Sequence, residues 1–502
     1  MKKSCLLLIV SFASASIANA QYFIGLRGSA FGGVTNVEYN PAIADNRFIV
    51  DVNLIGIAAT VNNNYVGVDR RALLHPSLFS DPNFQTDYMH ERVNGRSKSA
   101  YAGYEVQGPL SFMFSFGKKK DRLRNAIAFT YHTNFVANAD NVSEILARSA
   151  YYGLGNRANA VTHFLGQNLD NTNLSLKTAA WNDFGITYSR VIINKKANML
   201  KVGGTLKLIQ PLEGGYSFVQ NLNYKFSEPG LLSINNTHIN YAYSEGLISS
   251  RGFPLQNASQ IPGYLQNAMS FKNTTPTVAA DMGFVYEWRP EQNKTTGEMD
   301  CQCQGGNDKN HYKLALGASI VDFGAMRFKR GEYSQNFYAN IQNWDVNGIQ
   351  FPRGIQSFDD TVHSRFAQVP GKNYFTLWLP TRFNVFLDYN VIKDFGIIFS
   401  TMISPDMSPR GQMLHQVTTF TINPKYENKW FGVYLPLSYD VMGNISWGAT
   451  LRVGPLIIGT QDLLGLFAKK YVYNADIHAA LKITIPNGKI CKKGDVRFNK
   501  HV

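Results

Sequence analysis

The 502-residue sequence predicts an all-β fold, a transmembrane antiparallel β-barrel of about fourteen strands with long, partly helical extracellular loops. Charged residues make up 17% of the chain, while aromatic residues reach 13%. Soluble domains usually carry about 25% charged residues. No stretch of 18 apolar residues follows residue 20, which argues against membrane-spanning helices. Alternating apolar and polar segments of about 11 to 16 residues recur, whereas globular strands usually have about 5–6.

The first twenty residues have the features of a secretory signal peptide. Met1-Lys2-Lys3 is positively charged, the stretch from Leu6 to Ile17 is apolar, and Ala18-Asn19-Ala20 has the small-residue pattern of a cleavage site. We expect residues 1–20 to be removed after Ala20 and the mature chain to reach the bacterial cell outer membrane.

The alternation is clearest in the first predicted hairpin. Tyr104, Phe112 and Phe114 share one face of the segment 100–117, and Glu105 and Ser115 share the other. A charged turn follows at 118–123, and a second alternating segment completes the hairpin. Aromatic residues near strand ends resemble the interfacial girdles of membrane barrels; these residues are Tyr104, Tyr286, Trp288 and Tyr312.

The same alternation recurs along the chain. It predicts thirteen candidate strands: 47–60, 100–117, 124–137, 178–193, 200–210, 276–289, 311–322, 374–392, 396–404, 413–424, 430–440, 444–458 and 474–486. Bacterial single-chain barrels have even strand numbers. We therefore expect a further strand within 211–275 or 323–372, for fourteen in all, with sixteen also allowed. The barrel then occupies residues 47–486, and residues 487–502 form a basic C-terminal tail.

Short and long connections alternate along this pattern. Short turns are expected at the periplasmic end and long loops outside, as is usual for such barrels. The loop from Asn141 to Leu169 has apolar residues at helical spacing. A helix there could cap the barrel mouth, or it could pack only on neighbouring loops.

The inward face of the predicted strands carries mixed charges. They are Glu105, His132, Asp183, Lys207, Asp281, Glu287, Lys313, Arg382, Asp388, Asp476, His478 and Lys482. Such groups either pair in a structural network or line a substrate path. The sequence contains neither a Gly-x-Ser-x-Gly elbow nor a His-Glu-x-x-His helix. We therefore expect no enzyme activity, no cofactor and no metal.

Three cysteines follow the signal peptide: Cys301, Cys303 and Cys491. Cys301 and Cys303 are too close for an unstrained bridge, so one of them could pair with Cys491, although a Cys-x-Cys metal ligand pair and three free thiols remain alternatives. The formal charge of +14 is scattered through turns and tail. It indicates contact with outer-membrane lipid and lipopolysaccharide phosphates, not with nucleic acid.

The segment before the first strand resembles the N-terminal signature of the FadL/PorV-like superfamily of outer-membrane barrels. It contains Gly28, Gly32 and Gly33, followed by Asn40-Pro41-Ala42. The order of this motif, Asp51–Gly56, Asn62–Tyr65 and Arg452–Leu456 is similar to an uncharacterised, domain-of-unknown-function family of such barrels. The resemblance implies that residues 21–46 form a hatch inside the lumen; a simple turn into the first strand is the alternative. The chain departs from the usual barrel pattern because it does not end on an aromatic residue.

Two functions follow from this resemblance. The first is passive transport of small hydrophobic molecules through a plugged lumen, because about fourteen strands leave room for a ligand or a channel. The second is a structural, secretion or assembly component that docks an envelope protein partner and conducts nothing. The sequence alone does not discriminate between these two functions.

Overall fold

The computed structural model describes most of the chain between residues 23 and 486. The described ranges are 23–44, 48–108, 111–116, 125–153, 164–195, 197–244, 275–290, 312–345, 363–367, 369, 372–392, 394–408, 411–428 and 430–486. The predicted signal peptide, the basic tail and all four cysteines lie outside these residues.

The chain is built almost entirely of β-strands. Those of the first half are β1 (Phe48–Asn63), β2 (Val66–Asp69), β3 (Met89–Glu91), β4 (Lys98–Gln107), β5 (Ser111–Phe116), β6 (Asn125–Val142), β7 (Asn168–Lys195), β8 (Asn198–Glu228), β9 (Leu231–Tyr243) and β10 (Thr277–Trp288). Strands of 28 and 31 residues, β7 and β8, are far longer than a bilayer requires. The halves of β7 and β8 that lie far from the short turn between them therefore extend past the membrane.

The second half continues in the same way. Its strands are β11 (Leu314–Lys329), β12 (Gln335–Asp345), β13 (Tyr374–Trp378), β14 (Arg382–Ile392), β15 (Phe395–Ile403), β16 (Thr419–Glu427), β17 (Phe431–Tyr434), β18 (Leu437–Asp440), β19 (Ile445–Trp447), β20 (Ala449–Val453), β21 (Leu456–Thr460), β22 (Tyr471–Val472) and β23 (Asn474–Pro486).

Antiparallel pairing closes the sheet into a ring of fourteen strand positions, as predicted. In order around the wall they are β1, β4 with β5, β6, β7, β8, β10, β11, β13 with β14, β15, β16, β17 with β18, β19 with β20, β21 and β23, which pairs with β1 again. Among the described residues, each of the fourteen ring positions is paired on both sides, which is what a hydrocarbon environment requires.

The fourteenth wall strand is not where the sequence placed it. Leu456–Thr460 is a separate strand, because the chain reverses at Gly454, whose φ is +54°. The predicted strand 444–458 is thus two wall strands. The ranges 211–275 and 323–372 do contain the additional strands β9 and β12, but these pair with each other and with the upper half of β8. β9 and β12 therefore extend the wall beyond the ring on the side of the long loops.

Burial alternates along the wall strands as the pattern predicts. Large apolar side chains face outward over a continuous band; Ile186, Leu206 and Met282 are 58%, 63% and 63% exposed. Polar residues on the opposite face are buried in the lumen. The outward band is what a lipid bilayer contacts, so the fold is that of an outer-membrane β-barrel. The prediction that Tyr312 belongs to the aromatic girdle is wrong, because its ring is buried and its hydroxyl donates to Asp388.

Residues 404–408 and 411–418 belong to a loop folded into the lumen, here called the inward loop, and residues 413–418 are therefore not the first half of the predicted strand 413–424. Leu414, Gln416 and Val417 are almost completely buried. The side chain of Asn138 fixes the loop, since it donates to the His415 carbonyl at 2.8 Å and accepts from the His415 amide at 3.1 Å. Sequence periodicity cannot reveal this, because the bonds come from a strand 277 residues away.

Short helices lie in the connections at the long-loop end. They are α1 (Arg70–Leu74), α2 (Phe84–Tyr88), α3 (Glu144–Gly153) and α4 (Leu463–Phe467). The predicted helix within 141–169 is α3. It contacts the loop 64–97, where Arg148 pairs with Glu91 at 3.3 Å and Tyr151 packs edge-on against Tyr65. In the described part of the chain, no helix is both long and apolar enough to cross a bilayer.

Candidate functional site

The segment 23–44 runs through the lumen and is buried almost throughout. It contains two short 3₁₀ helices, Ile24–Leu26 and Gly33–Asn36. Phe23 and Leu26 pack against inward side chains of β1, β17, β21 and β23, and Val34 and Val37 pack against Met113 on β5. Every main contact of the segment is with the inner face of the wall.

The Asn40-Pro41-Ala42 turn sits on a pair of wall glycines. Gly203 on β8 and Gly283 on β10 are register partners. A Cβ atom at Gly203 would lie 2.0 Å from the Pro41 carbonyl oxygen, and one at Gly283 would lie 2.5 Å from Asn40 Oδ1. Only glycine permits this approach. Asn40 Nδ2 also donates to the Phe284 carbonyl at 3.1 Å, which ties the turn to β10.

Gly33, one of the predicted hatch glycines, is required for a second reason. Its φ is +58°, and a Cβ atom there would lie 1.7 Å from Asp51 Oδ2. Gly28, with a φ of +74°, borders the Phe386 ring, and Gly32 is buried beside Asn36. Burial raises the pKa of the Tyr39 hydroxyl despite the nearby Arg27 charge. Tyr39 therefore stays a neutral donor to the Val385 carbonyl at 3.2 Å.

Five charged groups, here called the central cluster, join this segment to the wall. They are Glu38, Lys207, Asp281, Asp322 and Arg382. Lys207 Nζ lies 3.1 Å from Glu38, 3.1 Å from Asp281 and 2.6 Å from Asp322. Arg382 pairs with Asp322 and lies 3.6 Å from Glu38. Buried charges persist only when paired and hydrogen-bonded, so the cluster fixes the position of Glu38.

Three ligand-type side chains adjoin the central cluster. His132 Nδ1 lies 2.9 Å from Asp183 and 3.3 Å from Glu38, and the donor atoms of all three lie within 4.8 Å of one another. The side-chain Nδ2 of Asn134 donates to Asp183 at 2.6 Å. Because Lys207 and Arg382 already place positive charge beside Glu38, the arrangement favours an ion-pair network over a bound cation.

A second group of ion pairs holds the start of the segment. Lys425 Nζ lies 2.6 Å from both Asp388 and Glu427. Glu427 in turn accepts from Ser29 Oγ at 2.6 Å and from the Tyr434 hydroxyl at 2.9 Å. Ser29 therefore links the segment to β16 and β17.

A third contact involves Lys482 and Asp51, which are 2.7 Å apart. Asp51 accepts from the Val34 amide at 2.7 Å, and Lys482 donates to the Gly32 carbonyl at 2.7 Å. Both wall strands that bracket the ring closure, β1 and β23, are thus tied to the segment.

The remaining predicted inward residues make the following contacts. Glu105 accepts from Gln107 at 2.8 Å, Glu287 pairs with Lys201 at 2.6 Å, and His478 contacts Thr450 at 2.9 Å. Asp476 accepts from the Gln461 amide near the long-loop end. Lys313 lies at the rim, 4.8 Å from the centroid of the exposed Tyr389 ring, so it does not join the lumen network. Cys301, Cys303 and Cys491 lie outside the described residues.

Sequence reasoning missed five of the residues that hold the segment. They are Glu38, Asp51, Asp322, Lys425 and Glu427. Lys425 and Glu427 could have been found, because they continue the inward alternation of Thr421 and Asn423 past the predicted strand end. Glu38 could not, since no periodicity governs an irregular segment.

An apolar layer follows the central cluster along the wall toward the long-loop end. Trp181 lies two residues from Asp183 on β7, and Ile209 lies two residues from Lys207 on β8, each on the same strand face. These side chains join Leu377, Leu414 and Val417 in one buried cluster. The inward loop 404–418 therefore supplies part of this layer.

A cavity of about 990 Å³ opens beyond the apolar layer. Its floor includes Tyr216, Phe218 and Phe375, and Tyr216 and Phe218 stack with their centroids 4.7 Å apart. Its walls carry polar side chains, among them Ser175, Lys177, Asp406 and Gln416. From the long-loop end, the lumen thus presents a polar cavity, an apolar layer and then the segment 23–44.

The chain is similar to several solved structures, among them two toluene transporters. The Ralstonia pickettii toluene transporter TbuX has 9% identity and a TM-score of 0.35, with 90% of this chain and 94% of that chain covered. A Pseudomonas aeruginosa FadL homologue has 9% identity and a TM-score of 0.35, covering 93% and 96%. The Pseudomonas putida toluene transporter TodX has 10% identity and a TM-score of 0.31, covering 93% of each.

Comparison with curated proteins found no match. The model of a family of unknown function, DUF5723, matches residues 41–461. This range takes in the Asn40-Pro41-Ala42 turn from Pro41 onward and the wall as far as the end of β21. The chain therefore belongs to DUF5723, a family of unknown function.

Proposed function

We propose that this protein is a passive outer-membrane transporter for small hydrophobic molecules, with residues 21–46 as its hatch. The observation that carries the proposal is the order of layers in the lumen. A molecule that enters the cavity meets Phe218 on its floor, then the apolar layer, and after it the central cluster and the buried segment 23–44. Burial of an apolar molecule against the aromatic floor and the apolar layer is favourable.

The hatch role follows from how the segment is held. It is a separate stretch of chain that adds no strand to the wall, and it is fixed by side-chain bonds to β1, β8, β16 and β23. Such contacts can open without breaking the backbone pairing of the barrel. Export through the signal peptide at residues 1–20 and contact with lipid and lipopolysaccharide belong to the same proposal.

A specific observation favours the alternative, a structural or assembly component that docks an envelope protein. The segment is anchored at three separate ion-pair groups, around Lys207, Lys425 and Lys482. A lumen closed at three points could remain closed, leaving the loops at the long-loop end as the working surface.

Uptake of an apolar probe separates the two functions. Cells that carry the full protein or a variant lacking residues 22–38 are exposed to N-phenyl-1-naphthylamine, whose fluorescence rises in membranes. Cells without the protein give the background rate. Transport predicts that, above this background, the initial uptake rate differs between cells with the deletion variant and cells with the full protein. The alternative predicts unchanged uptake together with loss of a co-purifying envelope protein. Equal uptake in all three strains would contradict the transport proposal.

A further inference from the structure

The cavity at the long-loop end contains a buried amide with unmet hydrogen-bonding capacity. Gln416 is only 1% exposed and lines the cavity. Within the described residues, neither its Oε1 nor its Nε2 has a hydrogen-bond partner. Leaving a buried polar group unpaired costs about 1–3 kcal/mol, and native proteins contain few such groups. Gln416 therefore points to a ligand that offers both a donor and an acceptor.

A second neutral group that lines the cavity also lacks a hydrogen-bond partner. The Ser175 hydroxyl is buried and lines the cavity, and no described residue bonds to it. A hydroxyl can both donate and accept. Arg330, which also lines the cavity, adds a buried Nε donor that has no partner among the described residues.

The most buried charge in the cavity is already neutralised. Lys177 Nζ lies 3.1 Å from Asp406 and 3.4 Å from Asp140, and His415 also contacts Asp140 at 2.9 Å. The unmet capacity thus sits mainly on uncharged groups that both give and accept hydrogen bonds. This balance favours an uncharged ligand with several hydroxyl groups over an acid.

The floor of the cavity is aromatic. Tyr216 and Phe218 stack with an interplanar angle of 23°, and Phe375 packs edge-on against Tyr216 at 5.5 Å. Such rings offer flat apolar faces beside polar rims. A sugar ring has the complementary form, because its C–H groups make an apolar face and its hydroxyls project from the edge. About 990 Å³ also lies at the upper end of the usual size of ligand pockets.

We propose that this cavity is a binding site for a short, uncharged saccharide. The aromatic floor contacts the sugar face, while Gln416 and Ser175 bond to its hydroxyls. The site is independent of the transport proposal, because it requires only that the ligand bind from the long-loop end. The transport proposal can fail while saccharide binding is confirmed, and saccharide binding can fail while transport is confirmed.

Calorimetry of the full-length protein in lauryldimethylamine oxide tests the proposal, since this detergent has no sugar headgroup. The probes are maltotriose, cellotriose and raffinose as neutral trisaccharides, trigalacturonate as the acidic counterpart, and toluene as the apolar one. We expect at least one neutral trisaccharide to bind more tightly than trigalacturonate and toluene. Absence of binding by all three neutral sugars, or tighter binding of the acid or of toluene, would overturn the proposal.

Variants distinguish recognition from structural packing. Gln416→Leu should weaken saccharide binding at least about tenfold without lowering the melting temperature, because it removes an amide that stabilises nothing in the free protein. Ser175→Ala should weaken binding less, again with unchanged melting. Ser438→Ala is the matched control, because its hydroxyl bonds to Thr421 at 3.0 Å and does not line the cavity. Equal affinity of wild type and both cavity variants would refute the assignment, and Ser175→Ala decides if Gln416→Leu fails to fold.

Discussion

Replacing Gly203 with alanine should loosen the hatch while leaving the wall intact. The added Cβ would lie 2.0 Å from the Pro41 carbonyl oxygen and 2.8 Å from the Ala42 nitrogen. Gly203 is paired on both sides, with Ser189 on β7 and Gly283 on β10, so the wall cannot move away. The turn at Pro41 must therefore shift instead.

The size of the effect follows from the clash. Overpacking of a buried site typically costs about 1–3 kcal/mol, which is roughly 5- to 150-fold in the equilibrium between closed and released hatch. Gly204→Ala is the matched control, because its added Cβ would lie 3.5 Å from the Asp281 carbonyl oxygen, which is ordinary van der Waals contact. Neither glycine has a positive φ, and both substitutions carry the same intrinsic gain of replacing glycine in a strand.

Hydrogen exchange measured by mass spectrometry reports the shift directly. The Ala44 amide donates to Ser189 Oγ at 2.9 Å, and the Ala42 amide donates to Asn40 Oδ1 at 2.9 Å. Peptides that cover residues 37–44 should exchange about 5- to 150-fold faster in Gly203→Ala and at the wild-type rate in Gly204→Ala. Equal exchange in the two variants would refute the contact between the turn and the wall.

Three further predictions concern the central cluster, the outward face and the inward loop. Lys207→Met should destabilise the barrel by about 3–5 kcal/mol, because three carboxylates lose a partner that is completely buried. Urea unfolding in lipid vesicles measures this free energy. A smaller loss of stability in Lys207→Met than in Lys313→Met at the rim would contradict the prediction. Leu206→Arg should cost about 2–4 kcal/mol on the lipid face while Leu206→Phe is tolerated, and equal penalties in the same assay would show that the facing is wrong. Asn138→Ala should remove two hydrogen bonds worth about 1 kcal/mol each, so proteolysis within 404–418 should accelerate; an unchanged cleavage rate would argue against the clamp on His415.

The alternation of the wall strands could be predicted because the lipid imposes it. Glu105 is buried next to the exposed Tyr104, and Asp388 is buried next to the exposed Tyr389, since outward positions must be apolar and inward ones can be polar. The strand at 456–460 was missed although Gly454-Pro455 is a turn dipeptide. Its five residues are too few to stand out from the preceding strand.

The interior was less predictable. Met413, His415 and Val417 alternate with Leu414 and Gln416 much as a strand would. Bonds to the distant residues Asn138 and Trp378 are what identify an inward loop. The unpaired amide of Gln416 depends on every neighbour around the cavity, so no local pattern could indicate it. By contrast, Asn40-Pro41-Ala42 stood out in the sequence, but its partners, Gly203 and Gly283, became visible only in the fold.

Single-channel conductance of the barrel without residues 22–38 tests the hatch assignment most directly. The deletion removes Ser29, Val34 and Glu38, which contact the wall at the three ion-pair groups, but leaves every wall strand in place. Correct insertion is first checked by heat-modifiable gel migration. We predict a higher conductance in planar bilayers than for the full-length protein. An unchanged conductance in a correctly inserted barrel would contradict the assignment of this segment as the hatch.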